Sequence, residues 1–262
     1  MNLLKSLVKS AQKPDRGAAR TAPFAVSIDG RTVRFDISSR GTRRFFLPRY
    51  ENGKLHEEGA TRYILSALGP DSVFLDVGAN LGWFSMAAAG VARTVYAVEA
   101  QEKMVQTVRR NADLNGYGNV HPIAAAAGDR PGFVTMPAEG KPGTSVNAAE
   151  AGYQVPVIRL DDYFAGDVVP DVIKIDVEGF ELNVLRGAAA LLAHRPKVAI
   201  ELHRSMADFG AKPRDIFELL SDAGYKVLAG AHRKTNVVLE DLGAGSLRED
   251  FNNTMVFCEP RV

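Results

Sequence analysis

Cysteine is almost absent from the sequence of 262 residues, which contains only Cys258. A single thiol cannot form a disulfide bond within the chain, and it cannot build a zinc site from several cysteines. We therefore expect the protein to work in a reducing compartment, and we predict a cytoplasmic location.

Long apolar runs and a strong net charge are also absent. No stretch approaches the roughly 20 apolar residues that a membrane-spanning helix requires. The chain begins MNLLKSLVKS; Lys5 and Lys9 interrupt its apolar pattern, and we find no secretion signal in it. The net charge is only +1, so the composition argues against a nucleic-acid partner.

This small net charge conceals an uneven distribution along the chain. Residues 1–49 contain 11 Lys or Arg and three acidic residues, whereas the remainder carries a net charge of −7. We predict a basic N-terminal arm or cover segment at residues 1–50 and a main domain at residues 51–262. Residues 2–13 have the pattern of an amphipathic helix. Such a helix would make a weak contact with an anionic membrane surface, dock on its own domain, or join two copies in a homodimer.

Short apolar runs alternate with helical patterns from residue 73 onward, which indicates βα units around a mostly parallel sheet. The runs lie at residues 73–77, 94–99, 120–127, 155–160, 171–176, 197–203, 225–229 and 254–258. From this alternation we predict a doubly wound α/β fold with seven strands in its sheet. Residues 128–156 break the alternation with Gly and Pro, which predicts an excursion over the sheet.

The most informative short segment is LDVGANLGWF at residues 75–84. A buried strand ends there in a turn that contains Gly78, where backbone amides can approach and hold a ligand. The next strand ends at Glu99, where a carboxylate can accept hydrogen bonds from both hydroxyls of a ribose. A dinucleotide site would need glycine at the positions of Asn80 and Trp83, and no phosphate-loop motif follows. A nucleoside ligand without a pyrophosphate fits better, and S-adenosylmethionine is such a ligand.

Six longer motifs follow one another along the chain. They are DVGANLG at 76–82, VEA at 98–100, NADLN at 111–115, AAAAGD at 124–129, IKIDVEGFELNVLRGA at 173–188 and AIELH at 199–203. Together they resemble the motifs of FkbM-type S-adenosylmethionine-dependent methyltransferases. The resemblance covers about residues 55–205 and implies a class I methyltransferase, Rossmann-like sheet. Its strand order would be 3-2-1-4-5-7-6 with the last strand antiparallel.

The resemblance also implies a set of cofactor contacts and transfer to a hydroxyl oxygen. The methionyl part would lie against Asp76, Gly78, Ala79, Asn80 and Gly82, the ribose against Glu99, and the adenine beside Ala126, Ala127 and Gly128.

Polar residues follow two further strands of the predicted sheet. Asp176 and Glu178 come after one buried strand, and Glu201 and His203 end the next. Because the carboxyl ends of parallel strands meet at one edge of a sheet, these side chains should face the ligand. For transfer to a hydroxyl, we predict that His203 or Asp176 takes the proton and that Glu178 or Lys174 orients the substrate.

Each of these assignments has an alternative. Asp176 could simply cap the following helix, and Lys174 could only flank the sheet. Glu181 is expected to be a solvated or helix-terminal acid. We predict no metal site; the alternative is a divalent ion held by Asp176, Glu201 and His203.

The sequence therefore predicts an S-adenosylmethionine-dependent O-methyltransferase that acts on a hydroxyl of a small molecule or glycan. Two other classes stay open, a pyridine-nucleotide oxidoreductase on a similar sheet and a non-catalytic module that only binds the cofactor. Residues 143–147 are candidates for contacts with a polar acceptor. The basic and aromatic residues at 43–50 favour a strand or lid over the active site rather than a nucleic-acid surface.

Overall fold

The computed structural model describes residues 22–50, 55, 57–137, 152–166, 168–230, 233, 239–242 and 253–261. The predicted amphipathic helix at residues 2–13 and the predicted acceptor loop at residues 143–147 lie outside the described residues. Among the described helices, none is long and apolar enough to cross a membrane.

The described chain begins with a hairpin and two helices. Strands β1 (Phe24–Ile28) and β2 (Arg31–Phe35) pair antiparallel through a two-residue turn. Asp29 and Gly30 in this turn both have positive φ angles, 49° and 75°, as tight hairpin turns require. Helices α1 (Arg40–Tyr50) and α2 (Glu58–Ser66) follow.

The central sheet lies at the middle of the fold. Its strands are, from one edge to the other, β5 (Val120–Ala124), β4 (Thr94–Glu99), β3 (Val73–Val77), β9 (Val172–Ile175), β10 (Lys197–Leu202), β13 (Thr254–Pro260), β11 (Tyr225–Ala229) and β12 (Glu240–Asp241). The first seven reproduce the implied order 3-2-1-4-5-7-6, and β13 is antiparallel to both of its neighbours. The sheet exceeds the predicted seven strands by one, because β12 pairs with the end of β11 at the edge.

Helices cover both faces of this sheet, as the alternating pattern predicts. Helices α3 (Trp83–Ala89) and α4 (Glu102–Asn115) share one hydrophobic core with the hairpin, α1 and α2. Helices α5 (Leu160–Tyr163), α6 (Glu181–Arg186), α7 (Ala189–Ala193) and α8 (Pro213–Asp222) contribute to the core on the other face. A 3₁₀ helix at Arg204–Phe209 follows β10.

A second, three-stranded sheet carries the predicted excursion. It consists of β6 (Ala126–Ala127), β8 (Gly152–Ile158) and β7 (Gly132–Pro137), in that order. The apolar run at residues 120–127 is therefore divided between two sheets. The chain leaves the central sheet at Ala125, whose amide still donates to the carbonyl of Glu99.

An aromatic cluster attaches the N-terminal segment to the domain. The rings of Tyr50 and Trp83 stack with centroids 3.9 Å apart, and Phe35 lies 5.4 Å from Trp83 on centroids. Trp83 Nε1 donates to Thr61 Oγ1 at 2.9 Å. Since Trp83 begins α3, the cluster fixes α1 beside the glycine-rich turn. The predicted division of the chain at residue 50 stays a prediction.

Candidate active site

The turn after β3 requires glycine at position 78. Its φ is +76°, and a Cβ atom there would lie 1.8 Å from the carbonyl oxygen of Asp176. The amides of Gly78 and Ala79 both donate to the carbonyl of Val98, at 2.8 and 3.1 Å. The turn therefore packs directly between the ends of β4 and β9. A side chain at position 78 would prevent this packing.

Glu99 lies at the end of β4 and faces the turn. Its Oε2 accepts from the amide of Asn80 and its Oε1 from the amide of Gln101, each at 2.8 Å. Burial raises the pKa of the Glu99 carboxyl, and the two amide hydrogen bonds lower it in part. These two backbone amides therefore fix the carboxylate in place.

A cleft of about 630 Å³ opens beside Glu99. We call it the alanine-lined cleft; it is bounded by Val77, Gly78, Asn80, Val98, Glu99, Ala100, Gln101, Ala125, Ala126, Ala127, Met136, Asp176, Val177, Glu178 and Phe180. Five of the predicted cofactor residues line it: Gly78, Asn80, Glu99, Ala126 and Ala127. Three others, Asp76, Gly82 and Gly128, do not line it, and Ala79 lines the neighbouring cleft.

Asp76 lies behind the turn and is fully buried. The register of β3 and β9 places Asp76 opposite Lys174, and Lys174 Nζ lies 3.1 Å from Asp76 Oδ1. Ser85 Oγ donates to Asp76 Oδ2 at 2.6 Å, and Lys174 Nζ donates to the carbonyl of Gly78 at 2.7 Å. Burial alone would lower the pKa of Lys174, but Asp76 and Asp176 raise it well above its usual value. The charged ammonium therefore holds the turn from behind.

A second cleft, of about 870 Å³, adjoins the first. We call it the charged cleft; it is lined by Phe45, Arg49, Tyr50, Glu57, Gly78, Ala79, Asn80, Leu81, Trp83, Phe84, Lys174, Asp176, Glu178, Glu201, His203, Arg233 and Asn253. All four predicted catalytic residues, His203, Asp176, Glu178 and Lys174, line it. The two clefts share Gly78, Asn80, Asp176 and Glu178, so they meet at the ends of β3 and β9. Phe45, Arg49 and Tyr50 of α1 also line this cleft. The segment at residues 43–50, which we expect to be a strand or lid, is therefore a helix.

His203 is held mainly by an acid that the sequence analysis assigns elsewhere. His203 Nδ1 lies 2.7 Å from Glu181 Oε1, whereas its Nε2 lies 3.7 Å from Asp176 Oδ1 and 3.5 Å from Glu178 Oε2. Burial lowers the pKa of His203, but the Glu181 hydrogen bond and the charges of the three carboxylates outweigh it and raise the pKa to about 9. The expectation of a solvated Glu181 is wrong, because its side chain is fully buried; it does begin α6.

The loop between β9 and α6 is fixed by hydrogen bonds to its backbone. The amide of Asp176 donates to the carbonyl of Val77 at 3.0 Å. Ser205 Oγ donates to the carbonyl of Glu178 at 2.7 Å, and the amide of Gly179 donates to Glu181 Oε1 at 2.9 Å. Asp176 and Glu178 are therefore held at the junction of the clefts before any ligand enters.

Two further acids line the charged cleft. Desolvation, with the nearby Asp176, raises the pKa of Glu57 to about 7. The pKa of Glu201 rises to about 8 for the same two reasons, with Glu57 adding to the effect. Arg233 lies 3.4 Å from Glu201, and Arg49 stacks over Phe45 at 4.1 Å from the ring centroid.

Sequence reasoning missed several of these residues. Glu57 and Arg233 come from segments without periodic pattern, and no local signal marks them. Phe180, the residue before α6, and Met136 in β7 also line the alanine-lined cleft, and each could only be predicted as core. Glu181 carried a signal, since IKIDVEGFE places it five residues after Asp176.

Comparisons with known proteins match this chain to methyltransferases. A model described as the methyltransferase FkbM domain matches residues 76–227. The chain is 29% identical over 213 residues to the hexuronic acid methyltransferase AglP of Haloferax volcanii, covering 79% of this chain and 83% of that protein. It is also 46% identical over 55 residues to the 23S rRNA (uracil(1939)-C(5))-methyltransferase RlmD of Marinomonas posidonica, covering 21% of this chain and 13% of that protein.

Among solved structures, a methyltransferase FkbM from Methylobacillus flagellatus is similar with 23% identity and a TM-score of 0.48. The similarity covers 72% of this chain but only 43% of that one. Because the matched domain spans more than half of the sequence, the chain belongs to the FkbM methyltransferase family.

Proposed function

We propose that this methyltransferase takes a methyl group from S-adenosylmethionine and transfers it to a hydroxyl oxygen of a glycan or small molecule. The observation that carries the proposal is the junction of two unlike clefts at Gly78, Asn80, Asp176 and Glu178. One cleft suits a nucleoside, and the other is rich in groups that bind a polar molecule and accept a proton. Such a junction is where a donor and an acceptor can meet.

The alanine-lined cleft fits the nucleoside end of the donor. Each carboxylate oxygen of Glu99 accepts one amide hydrogen bond and keeps a lone pair for a ribose hydroxyl. Asn80 Oδ1 is buried beside it and has no hydrogen-bond partner among the described residues, so it can receive a donor group of the ligand. Ala126 and Ala127 offer small apolar surface to the adenine.

Three predicted cofactor residues, Asp76, Gly82 and Gly128, do not line the alanine-lined cleft but support its walls. Asp76 holds Lys174, which in turn holds the carbonyl of Gly78. Gly82 has a φ of +83° and immediately precedes α3, while Gly128 packs against Phe180, where a Cβ would lie 3.0 Å from the ring. We assign these residues to positioning the cleft walls rather than to direct contact with the cofactor.

The charged cleft fits the acceptor side of the reaction. When bound, S-adenosylmethionine supplies an electrophilic methyl group that joins the acceptor oxygen while the sulfur keeps the bonding electron pair. The protein must hold that oxygen in line and remove its proton. Asp176 lies at the junction, and His203 faces it from the floor of the charged cleft. One of this pair takes the proton, and Glu178 or Lys174 orients the acceptor.

A sugar acceptor is supported by the relative AglP, whose name refers to hexuronic acid. A uronic acid carries several hydroxyls and a carboxylate. Arg49 and Arg233 line the charged cleft and could pair with such a carboxylate, because guanidinium groups suit planar acids. Glu57 and Asn253 offer further hydrogen-bonding groups on the same walls.

The other two function classes have less support. A pyridine-nucleotide enzyme needs glycines around a pyrophosphate, and Asn80 and Trp83 stand in those positions. A non-catalytic module would not need His203, Glu181 and Asp176 arranged around the junction.

Calorimetry followed by product analysis tests the proposal. We expect S-adenosylhomocysteine to bind and reduced nicotinamide dinucleotide to show no heat. Radiolabelled methyl transfer is then measured on neutral and uronic-acid-containing oligosaccharides. An alkali-stable methyl ether supports transfer to a hydroxyl, whereas an alkali-labile methyl ester identifies the carboxylate as acceptor. Binding of the nicotinamide cofactor in place of S-adenosylhomocysteine would overturn the proposal.

A further inference from the structure

The imidazole of His203 has one nitrogen fixed and the other directed at two carboxylates. His203 is only 5% exposed, and its Nδ1 lies 2.7 Å from Oε1 of the fully buried Glu181. Its Nε2 is 3.5 Å from Glu178 Oε2 and 3.7 Å from Asp176 Oδ1. Both distances exceed the usual range of a hydrogen bond between nitrogen and oxygen. Nε2 is thus aimed between two carboxylate oxygens, at ion-pair distance from each.

This spacing is that of ligands around a small cation. One ligand atom each from Asp176, Glu178 and His203 lie within 4.8 Å of one another. Two ligands at right angles, each about 2.1 Å from a cation, are about 3 Å apart. The two distances from His203 Nε2, 3.5 and 3.7 Å, exceed this spacing by about 0.5 and 0.7 Å, so side-chain adjustments of that order would bring these ligand atoms to coordination distance.

Glu181 completes the arrangement from the second layer. A histidine that binds a metal ion through one ring nitrogen commonly donates a hydrogen bond from its other ring N–H to a carboxylate. This hydrogen bond fixes the tautomer and makes the histidine a stronger ligand. Glu181 has this position, and its Oε1 also accepts from the amide of Gly179. Glu181 thereby fixes the imidazole and the loop that carries Glu178 with a single oxygen.

The charges around the cluster also favour a cation. Asp76, Asp176, Glu178 and Glu181 are four acids in or beside the charged cleft, whereas Lys174, Arg49 and Arg233 are three bases. Lys174 lies 3.6 Å from Asp176 Oδ2, which leaves Oδ1 directed at His203.

We propose that Asp176, Glu178 and His203 bind a divalent cation of the Mg²⁺ or Mn²⁺ type at the junction of the two clefts. Two carboxylates and one imidazole are ligands that suit these ions, and Mn²⁺ accepts the nitrogen more readily than Mg²⁺ does. The alternative in the sequence analysis named Glu201 as the third ligand beside Asp176 and His203; in this site the third ligand is Glu178. This inference rests on the proposed function.

The cation changes how the acceptor loses its proton. A hydroxyl that coordinates a divalent cation has a lowered pKa. Its O–H bond breaks with the electron pair left on oxygen, and the proton passes to a carboxylate oxygen of Asp176 or Glu178 that does not bind the cation. His203 then serves as a ligand, and the acceptor oxygen is held at the junction.

Titration of the full chain with Mn²⁺ tests the site. The protein is first stripped with a chelator, and loss of the free Mn²⁺ signal in electron paramagnetic resonance reports binding. We expect one ion per chain with a Kd below about 1 mM. Glu178→Gln and Asp176→Asn should weaken binding by about 100-fold or more, since each removes a ligand, and Glu181→Gln by about 10- to 100-fold. Glu201→Gln, a matched change in the same cleft, should weaken it far less.

Two further measurements separate this inference from the proposed function. S-adenosylhomocysteine binding to each variant reports folding and the donor site, and methyl transfer is measured with chelator and after Mn²⁺ is restored. Loss of transfer in chelator and its recovery with Mn²⁺ would support the cation. If the chelated protein binds S-adenosylhomocysteine and transfers methyl at the full rate, the cation site is wrong and the methyltransferase proposal stands. Mn²⁺ binding that all four variants share equally would also overturn the site.

A protein that binds Mn²⁺ through these ligands, yet has no affinity for S-adenosylhomocysteine, would refute the donor proposal and leave the cation site intact. Glu178→Gln is the decisive variant, because the Glu178 side chain is one-third exposed at 34% and its replacement should not unfold the chain.

Discussion

The alanine-lined cleft and the charged cleft lie side by side at the carboxyl ends of the parallel strands, but different interactions build them. In the first, Glu99 is held by two backbone amides that belong to the adjoining turns. In the second, His203 follows β10, and its side chain faces those of Asp176 and Glu178 in the loop after β9. The donor site is therefore a property of backbone conformation, whereas the acceptor site depends on long-range folding.

Gly78→Ala would break the wall that both clefts share, and it should have the largest effect. A Cβ at this position meets the Asp176 carbonyl at 1.8 Å and requires a positive φ. We expect a loss of more than about 4 kcal/mol in the free energy of unfolding, or no folded protein. Denaturant unfolding monitored by circular dichroism measures this.

Gly116→Ala is the matched control for that variant. Gly116 also has a positive φ, 68°, but a Cβ there meets nothing within 4 Å. It should cost about 1 kcal/mol from backbone strain alone. Equal losses in the two variants would show that the contact with the Asp176 carbonyl contributes nothing.

His203→Ala and Asp176→Asn should separate the two clefts functionally. His203 lines the charged cleft and Asp176 lies at the junction of the two clefts, so single-turnover methyl transfer should fall by about 10² to 10⁴. The affinity for S-adenosylhomocysteine should change little, because the Glu99 wall is untouched. His194→Ala, at an exposed histidine after α7, serves as the control. Near-normal transfer rates in both variants would remove these residues from the mechanism.

Glu99→Gln tests the opposite half of the comparison. The amide would lose charge-assisted hydrogen bonds to the ribose that are worth about 1.5 to 3 kcal/mol. The Kd for S-adenosylhomocysteine, measured by calorimetry, should therefore rise by about 10- to 100-fold. Glu102→Gln changes an exposed acid three residues later and should leave that Kd unaltered. An unchanged Kd in Glu99→Gln would mean that the ribose lies elsewhere.

The difference between the clefts also explains what could be predicted from the sequence. The turn at Gly78 and the acid at Glu99 are local features, since a buried strand, a glycine and a strand-terminal carboxylate stand close together in the chain. Strand order followed from the resemblance to a known family. The extra strand β12 has only two residues, too few for any alternating pattern.

The charged cleft was harder to predict because its neighbours are remote in sequence. The His203–Glu181 hydrogen bond joins residues 22 apart, and a helix-terminal acid looks the same whether it is solvated or buried. The Asp76–Lys174 pair depends on the register of two parallel strands, which the sequence does not reveal. Strand ends indicated which side chains share an edge, but not which of them would be hydrogen-bonded.

Asp36→Asn examines whether the segment that carries the cover of the charged cleft is anchored to the domain, and it should have the smallest effect. Burial raises the pKa of Asp36, but hydrogen bonds from Ser38 and Arg110 outweigh it and lower the pKa. A lowered pKa contributes stability above the pKa of the unfolded chain, and this contribution is lost as the pH falls through the folded value. Arg110 is half exposed at 51%, so the variant should lose at most about 1 kcal/mol at pH 7. In strongly acidic solution, the two proteins should have the same free energy of unfolding. A difference that persists in acid would mean that Asp36 acts through packing rather than charge.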